Sequence, residues 1–178
     1  MRMQPDPGTS NRGVAVPPDA VDAIVGQWQV ARPELQTDAM EVFGRIYRLA
    51  RQMGDRIEKT YQQWGIGRGE FDVLATLRRA PAPHVLSPRE LTATLMLTTG
   101  GMTGRLDKLE RAGLLTRSPD PVDRRGLRIT LSEQGLTVVD QAVAAGLAEQ
   151  QRALDEAGLG GEPAQQLNEL LRRLLATL

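Results

Sequence analysis

The chain has 178 residues, with 22 lysines and arginines against 22 acids, a formal net charge of zero, no cysteine and a single histidine. That length suits one domain with extensions and leaves room for a real core. The lack of cysteine excludes disulfides, thiolate zinc sites and thiol-based peroxide sensing, and no window is apolar over enough residues to span a bilayer.

Catalytic chemistry has no foothold. The sequence holds no nucleophile elbow, no metal-ligand cluster and no phosphate loop. Gly100-Gly101-Met102-Thr103-Gly104 is glycine-dense, but it follows a helix and not a strand, which argues against a nucleotide fingerprint. His84 lies in the loop Ala80-Pro81-Ala82-Pro83-His84, where a surface residue is the ordinary reading and a metal ligand the exceptional one. No catalytic residue, metal or cofactor is expected.

Taken in chain order, residues 1–17 are polar and rich in proline and glycine, without an apolar signal core, so a disordered tail and a cytoplasmic location are expected. Pro18 or Asp19 opens a helix reaching about Ala31, and Arg32-Pro33-Glu34 breaks it. Thr37 or Asp38 caps a long helix to about Gln63, with Met40, Phe43, Ile46, Tyr47, Ala50, Met53, Ile57 and Tyr61 on one stripe. Gly65 to Gly69 is a loop, and Glu70 to Arg79 is a helix carrying Phe71, Leu74 and Leu77.

The stretch from Ser87 to Gly135 carries the most information. Ser87-Pro88-Arg89-Glu90 is a capping box with proline at the first helical position. Leu91, Leu95 and Leu97 turn inward. Thr98-Thr99-Gly100-Gly101 separates that helix from a second, on which Met102, Leu106 and Leu109 form the buried stripe and Thr103, Gly104, Asp107, Lys108 and Arg111 face away. Gly113 ends the second helix as a left-handed cap. Leu114 to Arg117 is a short strand, Ser118 to Gly126 a turn with Arg124 and Arg125 at its far end, and Leu127 to Leu131 the returning antiparallel strand. From Thr98 to Arg128 seven basic residues stand against four acids, so positive charge is concentrated here in a neutral chain. Helix, turn, helix and basic hairpin in this order predict a winged helix-turn-helix: a helix sized for the major groove and an arginine-tipped ribbon for the minor groove of double-stranded DNA.

Ser132 opens another long helix to about Ala157, Gly158 to Gly161 breaks it, and Glu162 to Leu178 closes the chain with Leu167, Leu170, Leu171, Leu174, Leu175 and Leu178 on one face. Such a face is hard to bury on one small winged helix. Helices at both ends of the chain therefore suggest an intertwined two-fold homodimer, whose two copies read a palindromic operator at a helical-turn spacing of roughly 34 Å. Packing of the leucines within one protomer is the other reading. The segments are a tail (1–17), an extra N-terminal helix (18–35), a dimerisation helix (36–64), the winged helix-turn-helix DNA-binding region (65–131) and C-terminal dimerisation helices (132–178). The fold class is mostly α with a small antiparallel β-wing.

Leu86-Ser87-Pro88-Arg89-Glu90-Leu91, Leu109-Glu110 with Gly113-Leu114-Leu115 and Arg117, Asp120-Pro121 with Asp123-Arg124-Arg125-Gly126, and Leu131-Ser132 with Gly135 resemble the MarR family of bacterial regulators over about Met40 to Leu178. The resemblance implies a homodimeric winged helix on palindromic promoter DNA, weakened by small, often aromatic or anionic molecules. It also implies that Asp123 holds Arg125 and leaves Arg124 to enter the minor groove. Gly104 departs from the larger polar or basic residue common in the family and shifts readout toward Thr99, Thr103 and Lys108. The DNA-binding set is Ser87, Thr98, Thr99, Thr103, Lys108, Asp123, Arg124 and Arg125.

Trp28 with Arg32-Pro33-Glu34-Leu35 resembles the urate-responsive subgroup of that family, which carries an extra N-terminal helix. That likeness implies a ligand set of Trp28, Arg32, Asp72, Arg105 and Arg117 for a small anionic effector. At about 100° per residue Arg105 falls on the flank of its helix, able to turn inward, and paired guanidinium N–H groups suit an anion. Core packing for Trp28, a helix-dipole role for Asp72 and a DNA contact for Arg105 remain open beside it. A constitutive or architectural winged-helix binder without an effector is the alternative to a ligand-controlled repressor.

Overall fold

The structure, a computed structural model, describes residues 16–95, 101–121 and 126–178. It divides into two compact units, Met1–Ala50 and Arg51–Leu178.

In the first unit, α1 (Ala20–Ala31) starts at Asp19, whose carboxylate accepts the Val21 and Asp22 N–H groups while Asp22 reaches back to the Asp19 N–H at 2.7 Å. This reciprocal cap satisfies donors that the first turn leaves orphaned. Arg45, on α2 (Asp38–Tyr61), donates to Asp19 at 3.0 Å and to Asp22 at 2.5 Å, so one guanidinium ties the second helix to the cap of the first. Val21 and Val25 are buried, and Val21 rests on Gly44, where a Cβ would stand 3.0 Å from a valine methyl. Ile24, Trp28, Val30, Val42, Tyr47 and Leu49 remain exposed.

In the second unit, α2 runs into a 3₁₀ turn, Gln62–Trp64, and then α3 (Arg68–Arg79), β1 (Val85–Leu86), α4 (Pro88–Thr94), α5 (Met102–Arg111), β2 (Leu115–Pro119), β3 (Leu127–Leu131), α6 (Glu133–Glu156) and α7 (Glu162–Leu175). The three strands form one antiparallel sheet in the order β1-β3-β2, with Leu86 opposite Ile129 and Arg117 also opposite Ile129 from the other side. Val73, Leu74 and Leu77 of α3, Leu91 of α4, Leu106 and Leu109 of α5, Leu115 and Ile129 of the sheet and Val139 of α6 close a single core. At roughly 1.5–3 kcal/mol for each large side chain removed from water, this cluster is the main favourable term holding the unit. Tyr61 stacks on Phe71 at 4.2 Å between ring centroids, and burial pushes its hydroxyl up to about 12.

The structure departs from the sequence reading at several places; helix α4 ends at Thr94, ahead of the break expected at Thr98 to Gly101, and the first wing strand runs on to Pro119. The two-residue strand β1 was not anticipated. Helix α3 begins two residues before Glu70, because the Glu70 carboxylate accepts the Gly67 N–H at 2.7 Å and so caps a helix starting at Arg68. The first wing strand begins at Leu115, since the Leu114 N–H is taken by the Leu109 carbonyl at the end of α5. The long stripe of α2 is two surfaces: Ile57 and Tyr61 are buried, whereas Met40 and Tyr47 are exposed.

Helix α7 places none of its residues in the buried class; Leu170 is 54% and Leu175 72% exposed. Leu167, Leu170 and Leu175 thus lie exposed within this chain, while Leu171 and Leu174 are half-buried.

Candidate nucleic-acid interface

Helix α5 is positioned from both ends. Its last turn closes in a Schellman arrangement, with Gly113 at φ 72° and with the Gly113 and Leu114 N–H groups donating to the Glu110 and Leu109 carbonyls. The Ser132 hydroxyl then donates to the Gly113 carbonyl at 2.7 Å and accepts the Gly135 N–H at 2.9 Å. A side chain at Gly135 would run into the Leu114 carbonyl, which explains the glycine three residues after the serine. One serine therefore joins the end of α5, the end of β3 and the start of α6.

With Leu106 and Leu109 inward, Thr103, Gly104, Asp107, Lys108, Glu110 and Arg111 lie exposed along α5. A Cβ on Gly104 would meet nothing within 4 Å, so packing does not require a glycine there. Lys108 extends its ammonium to 3.4 Å from the Glu70 carboxylate. Beside α5 the hairpin of β2 and β3 is closed by the Asp120 N–H bonding the Gly126 carbonyl at 3.0 Å, and Arg128 donates to Asp120 at 3.0 Å. Proline 119 is accommodated because β2 is an edge strand.

Ser87 is the N-cap of α4: its hydroxyl donates to Glu90 at 2.8 Å and accepts the Glu90 N–H at 3.2 Å. The Ser87 backbone N–H, followed by its hydroxyl, holds the Glu90 carboxyl below its ordinary range. Thr98, Thr99, Asp123, Arg124 and Arg125 lie outside the described residues. A cleft of about 400 Å³ separates the start of α4 from the wing root, with Arg89, Glu90, Asp120 and Arg128 on its walls.

The residues expected to hold an effector divide between the units. Trp28 is 42% exposed on α1, and Arg32, the residue that ends this helix, pairs with Glu34. In the second unit Asp72 is buried on α3 at 4% exposure. The Arg105 guanidinium lies against Gly69, three residues before Asp72 and on the same side of α3. The structure thus brings Arg105 of α5 onto the Asp72 face of α3. Arg117 is engaged elsewhere: its guanidinium donates to Asp107 at 2.5 Å, and its backbone N–H donates to Glu110 at 3.1 Å.

A separate, larger cavity of about 600 Å³ opens between α3 and α6, walled by Tyr61, Phe71, Ala75, Val143 and Leu147, with Arg78, Arg79, Asp140 and Gln150 at its polar edge. Arg78 donates to Asp140 at 2.8 Å across the two helices. Sequence reasoning missed this cavity, and missed Gly69, Glu70, Asp107 and Glu110 as partners of the basic side chains. The spacing of Gly67 and Glu70 was the one local signal available, being that of a helix cap.

An amphipathic helix laid beside a three-stranded antiparallel sheet, preceded by a capped shorter helix and followed by a two-stranded hairpin, defines a winged helix-turn-helix. Residues 64–126 match the model of the MarR family. The HTH-type transcriptional regulator PecS of Dickeya dadantii (strain 3937) is 37% identical over 123 residues, which span 69% of this chain and 74% of that protein. The multiple antibiotic resistance protein MarR of Escherichia coli (strain K12) is 31% identical over 99 residues, 55% of this chain and 67% of that one. The crystal structure of Sco3205 from Streptomyces coelicolor in complex with DNA superposes with a TM-score of 0.69 over 81% of this chain and 90% of that chain, at 22% identity. That of an E. coli MarR mutant with operator DNA gives 0.65 over 80% and 99%, at 24% identity; both show the fold alone. The chain belongs to the MarR family and is a DNA-binding transcriptional regulator, not an enzyme. Among the described residues no helix is long and apolar enough to cross a membrane.

Proposed function

We propose that this regulator is a homodimeric repressor of a palindromic promoter site, released by a small anionic ligand of urate or purine type, or by an aromatic one. The observation that carries the dimer is the exposed leucines of α7, together with the exposed apolar residues of α1 and α2. Exposed large apolar side chains grouped along a helix favour an interaction site. Two copies of α5 and of the hairpin double the phosphate and base contacts that one copy makes. In this reading residues 36–64 and 132–178 supply the dimer helices, and Ser87, Thr98, Thr99, Thr103, Lys108, Asp123, Arg124 and Arg125 supply or orient DNA contacts.

Release rests on Asp72 and Arg105, with Trp28 and Arg32 as further members of the ligand set. An anion held by Arg105 meets the Asp72 carboxylate as a like charge. Two such charges about 4 Å apart interact by roughly 4 kcal/mol at an effective dielectric near 20, before relaxation. The resulting displacement acts on α5 through Arg105, and a change of about 1.4–3 kcal/mol weakens DNA binding tenfold to more than a hundredfold.

The test is a binding-site selection on genomic DNA, repeated with urate and related anions, with the mass of the protein in solution measured in parallel. A palindrome bound by a dimer and lost on adding the anion is the expected result, with Asp72→Asn blunting the response. Unchanged DNA binding with every anion leaves the constitutive binder as the function. Absence of any enriched palindrome, or a monomer in solution, overturns the dimeric reading.

A further inference from the structure

The clearest electrostatic arrangement on the DNA-reading side of the second unit is one the ligand set does not explain. Helix α5 carries two acids on its exposed surface, Asp107 and Glu110, whose side chains are 49% and 43% exposed. Spaced three apart, they share one face of the helix. A carboxylate pair on a helix laid toward phosphates repels the backbone it is meant to approach. Both acids converge on a single residue of the first wing strand. The Arg117 guanidinium donates from Nη2 to Asp107 at 2.5 Å, and its Nε, itself buried, stands 3.3 Å from Glu110. The other Glu110 oxygen accepts the Arg117 backbone N–H at 3.1 Å. The Arg117 side chain is only 20% exposed. The guanidinium is thus hydrogen-bonded to Asp107 through Nη2 and ion-paired with Glu110, whose carboxylate is held by the Arg117 backbone.

We propose that Arg117 is a positioning residue for DNA binding: it fixes β2 to the recognition helix and offsets one of the two negative charges of Asp107 and Glu110, instead of contacting ligand or phosphate itself. The hairpin is then held at a set angle to α5, and the exposed Lys108 and Arg111 together with Arg117 outweigh Asp107 and Glu110 by one positive charge. This rests on the reading of α5 as the DNA-contacting helix. It goes further by giving the wing-root arginine a role distinct from the effector site.

The experiment measures affinity and its salt dependence for the full chain on a duplex enriched by selection and on an unrelated duplex of equal length. Arg117→Ala leaves both acids bare and is expected to weaken binding to both duplexes about tenfold. Adding Asp107→Asn and Glu110→Gln to Arg117→Ala is expected to restore binding to the unrelated duplex to within about threefold of the parent, with the parent's salt slope. The same two acid substitutions with Arg117 intact are expected to tighten binding to the unrelated duplex and to lower the ratio between the duplexes, because the hairpin is no longer held.

A direct phosphate contact by Arg117 predicts the reverse: the triple variant stays as weak as Arg117→Ala and its salt slope drops by about one. That outcome overturns the proposal, as does a triple variant that recovers nothing while melting at the parent's temperature. If the Arg117→Ala protein does not fold, the acid double variant decides alone, and weaker binding to the unrelated duplex counts against the proposal. A parent that binds no selected duplex defeats the underlying DNA-contact reading, whereas a parent that binds normally beside an unrescued triple variant defeats this inference alone.

Discussion

The Arg105 guanidinium occupies the space a side chain at Gly69 would fill, so α5 is seated on the first turn of α3 by the absence of a methyl group. Alanine at position 69 improves helix propensity by up to about 1 kcal/mol. The atoms it displaces belong to the far end of a flexible side chain, so the collision costs little in folding. Gly69→Ala is therefore expected to leave the melting temperature within a few degrees of the parent while moving Arg105. DNA affinity or the response to anions changes about tenfold, as read by fluorescence anisotropy. A variant indistinguishable from the parent in both would show that the seat of Arg105 does not matter.

Gly104 presents the opposite case, an exposed helix position with open space where a Cβ would go. Gly104→Ala is expected to stabilise the protein by about 0.5–1 kcal/mol, because glycine loses more backbone freedom in a helix than alanine does. Chemical denaturation checks the gain. Repeating the site selection with this variant checks whether the bare position contributes to sequence choice.

Gly135 is constrained by backbone. Since the atom in the way is the Leu114 carbonyl, which cannot swing aside, Gly135→Ala is expected to destabilise the second unit by about 1–3 kcal/mol, in the range of overpacked cores. The midpoint of denaturant unfolding measures it, and an unchanged midpoint would mean that the start of α6 shifts without penalty.

The Glu90 carboxyl titrates below its ordinary range because the Ser87 N–H, and then the Ser87 hydroxyl, bond its charged form. A carboxylate depressed in the folded state contributes stability above its unfolded pKa, near 4.3, and that contribution is lost as pH falls through the folded value. Glu90→Gln keeps an acceptor for the cap and removes the titration. The parent is thus expected to lose stability more steeply than Glu90→Gln below about pH 4.5, as followed by thermal melts across acid pH. Parallel curves would exclude the cap as a source of acid sensitivity.

Glu70 offers a test of how free Lys108 is. Its carboxylate is held by the Gly67 N–H and stands 3.4 Å from the Lys108 ammonium. Glu70→Gln retains a capping oxygen and releases the lysine, so the slope of log affinity against log salt is expected to steepen by about one, the signature of one more neutralised phosphate. No steepening would place Lys108 away from the backbone.

Local signals in the sequence were strong where one residue decides an element. Asp19, Ser87 and Ser132 mark helix starts because a short oxygen-bearing side chain bonds the orphan N–H groups nearby. Gly113 marks an end because its positive φ is cheap only for glycine. The strand β1 left no such mark: Val85 and Leu86 become a strand only by pairing with Thr130 and Ile129, more than forty residues later. The division of the α2 stripe was hidden for a related reason, since apolar periodicity does not say which protein surface covers it. The pairing of Arg117 with Asp107 and Glu110 was hidden because these acids lie across the end of a helix, where no periodic pattern links them.

Ser132 has a mechanical consequence. Helix α6 is 24 residues long, about 36 Å, and its first residues are bolted through that serine to the Gly113 carbonyl at the end of α5. It is a crank with its pivot at the wing: a sideways push of about 3 Å on its distal end turns the shaft by roughly 5°. The end of α5 is thereby tied to the near end of a long shaft, and a push at the far end reaches it without α5 itself having to be touched.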